Sequence, residues 1–296
     1  VSLVSGLAVV SKPAGVTSFT ALSPIKRKLA STKVGHAGTL DKFATGLLVV
    51  LAGPVAHLTP WFSSLDKSYR AKLRFGFETG TLDPEGEVVA EAPLPSREAL
   101  EAVLPLFRGP IMQKPPLYSA LHVDGKRAYE RALAGEKVEM EARPVTIHSL
   151  ELLSYNGGEA ELLVSCSSGT YIRSLARDIA LAAGSRASLS ALCRESIGPL
   201  GLADAVSPED FDAARDLRAM SPELALALGL GLRRVAGDLE RRFRNGGMIS
   251  TRELGSPELA PPEGESAFFS ASGAFLGVAF EGGRELAYRF VIGAAS

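Results

Sequence analysis

The sequence predicts an α+β fold, in which a mixed, largely antiparallel sheet flanked by helices is followed by a small β-rich C-terminal segment. Three observations carry this. Tyr69, Ala71, Leu73 and Phe75 alternate with Arg70, Lys72 and Arg74, the period of a strand with one packed face and one basic face. Two further strand-like stretches, about 145–155 and 159–167, are joined by the hairpin signal Asn156-Gly157. Helical patterns interrupt the strands without regular βαβ alternation.

Taken in order, 6–11 reads as a buried strand closed by the turn Lys12-Pro13-Ala14-Gly15. The N-terminal run has no basic region before it, so it reads as a strand rather than a signal peptide. Thr17 or Ser18 can cap a helix through about 30, with Phe19, Leu22, Ile25 and Leu29 at helical spacing and Pro24 predicting an irregularity. Residues 31–45 are polar and glycine-containing, and 47–52 is a short buried strand. The strand at 68–77 follows. A helix spans 96–107 with Leu100, Val103, Leu104 and Phe107 on its inner stripe. The prolines and glycine of 108–117 predict an exposed loop. A short helix is expected at 128–134, and a helix at 171–183 that Gly184 ends. A helical pattern near 222–230 precedes a glycine-rich tail with β-like runs at 267–270, 274–280 and 286–292. The expected division is 1–232 and 233–296.

The 296 residues are 46% hydrophobic and 22% charged, enough to bury a core without disulfides. Cys166 and Cys193 form no CxxC, and His36, His57, His122 and His148 are scattered, so no zinc or other metal site is expected. No apolar stretch is long enough to span a bilayer. A cytoplasmic location is expected. The net charge of −1 hides an asymmetry: through Phe75 the chain carries ten basic residues against Asp41 and Asp66. Such a patch can attract phosphate, although solvated helix faces explain Lys26 to Lys28 equally well.

Three segments hold candidate chemistry. In Gly35-His36-Ala37-Gly38-Thr39-Leu40-Asp41, two glycines allow close approach of a loop to a ligand, with a ring and a carboxylate beside them. Asp41 alone reads equally as a turn cap. In Ser167-Ser168-Gly169-Thr170-Tyr171-Ile172-Arg173, Gly169 and Thr170 are expected to cap a helix. That places Arg173 in a first turn, where the helix dipole disfavours a cation unless an acid such as Asp41 holds it. Tyr69 reads as a core residue or as a stacking platform for a nucleotide. Thr81-Leu82-Asp83 repeats the tripeptide Thr39-Leu40-Asp41. Its turn context marks Asp83 as structural, so Asp83→Asn is expected to keep most activity.

Together these segments resemble the TruB family of tRNA pseudouridine synthases from about Gly6 to Gly198. The motifs are KPxGxTS at Lys12–Ser18, GHxGTLD at Gly35–Asp41 followed by ATGLL, and KxYR at Lys67–Arg70. PPxYSA at Pro115–Ala120, GKRAYE at Gly125–Glu130 and SGTYIRSLARD at Ser168–Asp178 complete the order. The resemblance implies a pseudouridine-synthase fold and conversion of uridine 55 in the tRNA T-loop to pseudouridine. It implies Asp41 as the catalytic aspartate, Arg173 as its partner and Tyr69 packed on a flipped base. It implies His36 filling the place that base leaves and Lys12 in a supporting role. Gly38, Thr39, Lys42 and Tyr171 complete the expected substrate-binding set. The stretch 109–134 corresponds to a mobile insertion that closes on the T-loop, and the C-terminal segment resembles a PUA-type RNA-binding module.

The chemistry needs an extruded base in a closed pocket and a carboxylate beside the sugar, but no cofactor and no metal. The expected partner is the tRNA T-arm, with no membrane, no required protein partner and a monomeric chain. Three positions depart from the family pattern: Lys42 where proline is usual, His122 for lysine and Cys193 for arginine. Lys42 is expected to face RNA phosphate. Rival readings are a T-loop-binding chaperone with little chemistry, a catalytic subunit of a guide-RNA ribonucleoprotein, and a plain α+β binding protein.

Overall fold

The computed structural model describes residues 5–30, 32–119, 121–123, 126–127, 140–260 and 264–293. In chain order the first strands are β1 (Gly6–Lys12), β2 (Val34–Ala37), β3 (Thr45–Ala52), β4 (Lys67–Phe75), β5 (Phe77–Thr79), β6 (Val88–Glu91) and β7 (Gly109–Gln113). They continue as β8 (His122–Val123), β9 (Lys126–Arg127), β10 (Arg143–Asn156), β11 (Glu159–Cys166), β12 (Ala187–Ile197) and β13 (Leu200–Gly201). A nine-stranded sheet runs β1-β3-β12-β4-β11-β10-β7, with β2 on β3 and β13 on β12. Only the β3–β12 pairing is parallel in it, so the sheet is mixed and largely antiparallel.

The two ends of this sheet are buried differently. At the β1–β3 end both faces are covered. Leu47, Val49 and Leu51 pack on Phe62 of the helix Thr59–Ser64, while Leu48 and Val50 pack on Leu22, Ile25 and Phe211. That is why 45–52 is a continuous apolar run rather than an alternating one. At the β4–β11 end only one face is covered. Tyr69, Ala71, Leu73 and Phe75 lie under the helices Arg97–Val103 and Ile172–Ala182, and Arg70, Lys72 and Arg74 face solvent.

Local departures from the sequence reading have physical causes. Thr17 does cap the first helix, accepting from Thr20 N, but the helix breaks at Leu22 and restarts as Ser23–Lys28. Pro24 cannot donate to the preceding turn, so it takes an N-terminal position instead. Pro105 likewise turns the end of the helix over 97–107 into a 3₁₀ segment. The expected exposed loop at 108–117 is wrong for its first half: Gly109–Gln113 is an edge strand on β10, where Pro110 is tolerated because its missing donor would face outward. Residues 109–113 of the expected mobile insertion are therefore part of the sheet, and the helix expected at 128–134 lies outside the described residues. The helix Ile172–Ala182 is capped by Tyr171 with no side-chain bond, not by Thr170, whose hydroxyl donates to Ser167 O. The hairpin between β10 and β11 turns at Gly157 and Gly158, both with positive φ.

A second sheet, β14 (Gly231–Val235), β15 (Glu265–Ser270), β16 (Phe275–Phe280) and β17 (Ala287–Val291), has β14 parallel to β15 and the rest antiparallel. One face places Phe269, Phe275 and Phe290 in the same apolar cluster as Leu7, Val9 and Phe62. The other stacks Phe268 on Phe243 of the helix Gly237–Arg244. Trp61 Nε1 donates to Glu265 Oε2 at 3.2 Å across the junction. Among the described residues no helix is long and apolar enough to cross a membrane.

Candidate active site

A cavity of about 450 Å³ opens beside the covered end of β4 and β12, within the usual range of small-ligand sites. Its lining includes Gly38, Thr39 and Asp41 from the loop after β2, Tyr69 from β4, Arg194 from β12, and Tyr171 and Arg173 from the start of the helix Ile172–Ala182. Asp41 is presented by a loop held at both ends. Ser18 Oγ accepts from Leu40 N and donates to Leu40 O, while Asp41 O accepts from Ala44 N. Gly38, at φ 78°, supplies the turn that a Cβ would strain.

Arg173 meets both Asp41 oxygens: Nη2 donates to Oδ1 at 3.1 Å, while Nε lies 2.9 Å from Oδ2 as an ion-pair contact that is not aligned as a hydrogen bond. The side chain of Asp41 is 37% exposed against 6% for Arg173, so the carboxylate faces the cavity and the guanidinium lies behind it. Burial raises the Asp41 pKa, Arg173 lowers it, and the neighbouring charges of Asp83 and Glu85 raise it further. The pairing inferred from an awkwardly placed arginine is present. The other side of that arginine was missed. Nη1 donates to Thr81 O and meets Asp83 Oδ2 at 3.3 Å, and Nη2 also donates to Tyr118 O. The two Thr-Leu-Asp tripeptides are therefore the two carboxylate arms around one guanidinium.

Asp83 is buried and accepts from Thr81 Oγ1 at 2.6 Å and Glu85 N at 3.0 Å. Leu82 beside it has φ 63°, alone among the described non-glycine residues in having positive φ. A bulky residue is disfavoured there, so surrounding contacts hold that turn; Leu189 N donating to Leu82 O is one. The structural label given to Asp83 is right about its turn, but its expected innocence in activity does not fit these contacts. Gln113, buried, fixes the other entry to the helix by accepting from Tyr171 N and donating to Tyr171 O.

Six expected residues share the cavity: Gly38, Thr39, Asp41, Tyr69, Tyr171 and Arg173. Three stand outside its lining. His36 is on β2, half-buried, with Nδ1 buried and unpartnered, and burial together with the charges of Arg194 and Lys26 lowers its pKa, which favours the neutral ring. Lys12 is fully buried beneath the loop, where its ammonium donates to Pro13 O, Val16 O and Lys42 O. Burial pushes its pKa down to about 8. The Lys42 side chain lies 3.4 Å from Glu85 Oε1, so here it makes a surface ion pair rather than standing free for phosphate.

The basic excess of the first 75 residues is also partly internal. Lys12 and Lys67 are buried, Lys28 donates to Phe211 O, and Arg70 pairs with Glu161 and Glu195 on the sheet face away from the cavity. The sequence reading names only Cys193 in the region of β12 and predicts neither that strand nor a role for Arg194. No alternation marks Arg194 as inward, because β12 is broken by two register shifts against β4. No cluster of potential metal ligands occurs among the described residues.

Residues 26–172 match the family described as TruB family pseudouridylate synthase, N-terminal domain. The chain is 45% identical over 213 residues to tRNA pseudouridine synthase B of Borreliella burgdorferi (strain ZS7), covering 71% of this chain and 76% of that protein. It is 41% identical over 283 residues to tRNA pseudouridine synthase B of Cupriavidus metallidurans, covering 93% and 90%. Among solved structures, the archaeal box H/ACA sRNP Nop10-Cbf5 complex matches with a TM-score of 0.71 at 19% identity, over 98% of this chain and 86% of that one. A chain of an H/ACA RNP bound to a substrate RNA containing 2'-deoxyuridine matches at 0.70 over 98% and 85%. These likenesses agree with the expected pseudouridine-synthase fold and its small PUA-like C-terminal sheet. With extensive identity to relatives of one kind, the chain belongs to the TruB family and is an RNA pseudouridine synthase.

Proposed function

We propose that the chain isomerises uridine 55 in the T-loop of tRNA, with Asp41 as its catalytic carboxylate. The observation that carries this is the Asp41–Arg173 fork, which holds a carboxylate toward a cavity lined by Tyr69 and Tyr171. The names of the relatives support tRNA as the RNA. In this reading the target uridine leaves its stack and enters the cavity, where Tyr69 packs on it. His36, neutral and with an unpartnered nitrogen, takes the vacated place. The C1′–N1 bond breaks while Asp41 either bonds C1′ or removes a sugar proton, the base turns, and C5 bonds to C1′ as the Asp41–C1′ bond breaks or Asp41 returns that proton to the sugar. The C5 proton then leaves through the Tyr69 hydroxyl, which stays neutral because burial raises its pKa and so passes its own proton on as it receives this one, and N1 takes a proton. Gly38, Thr39 and Tyr171 shape the cavity, and Lys12 anchors the loop through the Lys42 carbonyl.

The division we propose is a catalytic part over 1–232 and a PUA-like RNA-binding part over 233–296, with strand β14 straddling that boundary, and an RNA-closing insertion about 109–134 that begins from strand β7. The chain would act in the cytoplasm as a monomer, with no cofactor, metal or protein partner. The test is an unmodified tRNA transcript tritiated at uridine C5, incubated with purified protein alone. Tritium release, pseudouridine mapped to the T-loop, and loss of both in Asp41→Asn with tRNA binding retained are expected. Normal turnover by Asp41→Asn would refute the role of Asp41, and release from another tRNA site would refute the position.

A further inference from the structure

The cavity holds two arginines whose surroundings are opposite. Arg173 is met by the carboxylates of Asp41 and Asp83. Arg194 is 1% exposed, yet among the described residues no carboxylate lies within ion-pairing distance of it. Its Nε donates to Leu47 O and its Nη2 to Gly38 O, both at 2.8 Å. Arg194 and Tyr69 are direct cross-strand partners on β12 and β4, and both line the cavity. Cross-strand partners project from the same face of a sheet.

Nearby cations add to the asymmetry. Lys67 also lines this cavity, and its ammonium donates to the carbonyls of Ser63 and Leu65. Burial pushes Lys12 and Lys67 down to about 8, and the Arg194 charge acts on both in the same direction. A lysine can answer burial by losing its proton, but an arginine cannot. Burying an unpaired charge is costly and is seldom kept without compensation. Arg194 therefore maintains a fixed positive potential on the side of the cavity facing Tyr69.

The reaction supplies a transient negative charge. When C1′–N1 breaks, the bond pair stays on N1. The base is then an anion whether Asp41 bonds C1′ or takes a sugar proton. C5 of that anion next supplies the pair for the C1′–C5 bond as the Asp41–C1′ bond breaks or Asp41 returns the sugar proton, so the charge passes from the base to the Asp41 carboxylate. The geometry points to Arg194 as the group whose fixed charge stabilises the detached uracil anion, with the Leu47 and Gly38 carbonyls aiming its guanidinium. Charge fixed in advance of the reaction, in a site shielded from water, is the general way such an intermediate is stabilised. This inference rests on the proposed reaction, and it is independent of which course Asp41 follows.

The test compares tRNA carrying uridine with tRNA carrying 5-fluorouridine at the target. Fluorine makes the departing anion intrinsically more stable, so it depends less on the protein. Single-turnover loss of the N-glycoside is read by nucleoside mass spectrometry, with tRNA affinity measured separately. In Arg194→Gln or Arg194→Met, whichever keeps the wild-type circular dichroism and melt, uridine conversion should fall about 100-fold and 5-fluorouridine conversion about 10-fold or less. Affinity should stay within about threefold. Arg194→Lys should restore at least about tenfold of the uridine rate and keep the ratio of the two rates within about threefold of wild type. Equal slowing on both substrates in a folded neutral variant would overturn the inference. So would a loss explained by affinity alone. If neither neutral variant folds, a shifted ratio in Arg194→Lys overturns it and an unchanged ratio with the rate restored supports it. Failure of the wild-type chain to convert uridine at all would instead overturn the proposed reaction.

Discussion

Changing Asp83 to Asn tests whether the second carboxylate around Arg173 matters to the chemistry. The side chains of Asp83 and Arg173 are 7% and 6% exposed, so their contact at 3.3 Å is shielded from water. Asparagine keeps an oxygen to accept from Thr81 Oγ1 and Glu85 N, but removes the charge and can set an amide donor against Nη1. Breaking a buried pair outright costs about 3–5 kcal/mol, and a hydrogen bond to a charged group contributes about 1.5–3 kcal/mol. Arg173 keeps Asp41, Thr81 O and Tyr118 O, so the lower range applies and a loss of about 2 kcal/mol of stability is expected. If that loosening reaches the fork on Asp41, the single-turnover rate falls about 30-fold. A second effect has its own sign. The Asp83 charge raises the Asp41 pKa, so its removal should move the acid limb of the rate–pH profile to lower pH. The assays are urea melts and single-turnover tritium release across pH. A variant that loses stability but keeps its rate within about threefold would show that Arg173 holds Asp41 without help from Asp83. An acid limb that moves upward would refute the electrostatic part.

Three other outcomes follow from the same contacts. Arg173→Lys should lose about 100-fold or more in turnover while tRNA binding persists, because one ammonium cannot reach both Asp41 oxygens and the Thr81 and Tyr118 carbonyls; wild-type single-turnover rates would refute the fork. In the wild-type chain, activity should require ionised Asp41, and the acid limb should lie above the ordinary aspartate value of 3.8 because burial outweighs Arg173; a limb below that value would refute the sign. Gly46→Ala should destabilise the fold by about 3 kcal/mol or more, since φ is 106° and a Cβ would collide with Arg194 O and lie 2.6 Å from Arg194 N; a melt unchanged from wild type would show that β3 and β12 separate without cost.

Short-range signals in the sequence were legible because local chemistry decides them. The alternation of β4, the Gly157–Gly158 hairpin and the run in β3 each follow from period or turn geometry. In the sequence β2 and β7 look like loops because glycine, proline and polar residues interrupt them, and only their partners β3 and β10 make strands of them. Six of the nine residues that the family resemblance singled out line one cavity, whereas the residues that support them carried no signal in the sequence. Asp83 was visible as a turn, and nothing local to 81–86 says that an arginine from 90 residues onward will sit against it. Charge counting failed for a similar reason. Half of the basic residues up to Phe75 are tied to carbonyls or acids, and only three-dimensional packing separates these from the free ones.

Under the proposed reaction, the charge arrangement of the cavity would keep its carboxylate from being silenced by its own partner. An isolated Asp–Arg pair would hold the acid well below its usual range and leave it a weak base or nucleophile. Here Arg173 is shared with Asp83, and burial together with Asp83 and Glu85 pushes Asp41 upward. The fork fixes direction while the surrounding charge keeps the carboxylate reactive. The same loop answers to a second control: Gly38 O accepts from Arg194 on one side of Asp41, and Lys42 O accepts from Lys12 on the other. A change in Arg194 or Lys12 can therefore act on Asp41 through the backbone as well as through charge. Only measurements that separate the two, such as the paired uridine and 5-fluorouridine rates, can assign the effect.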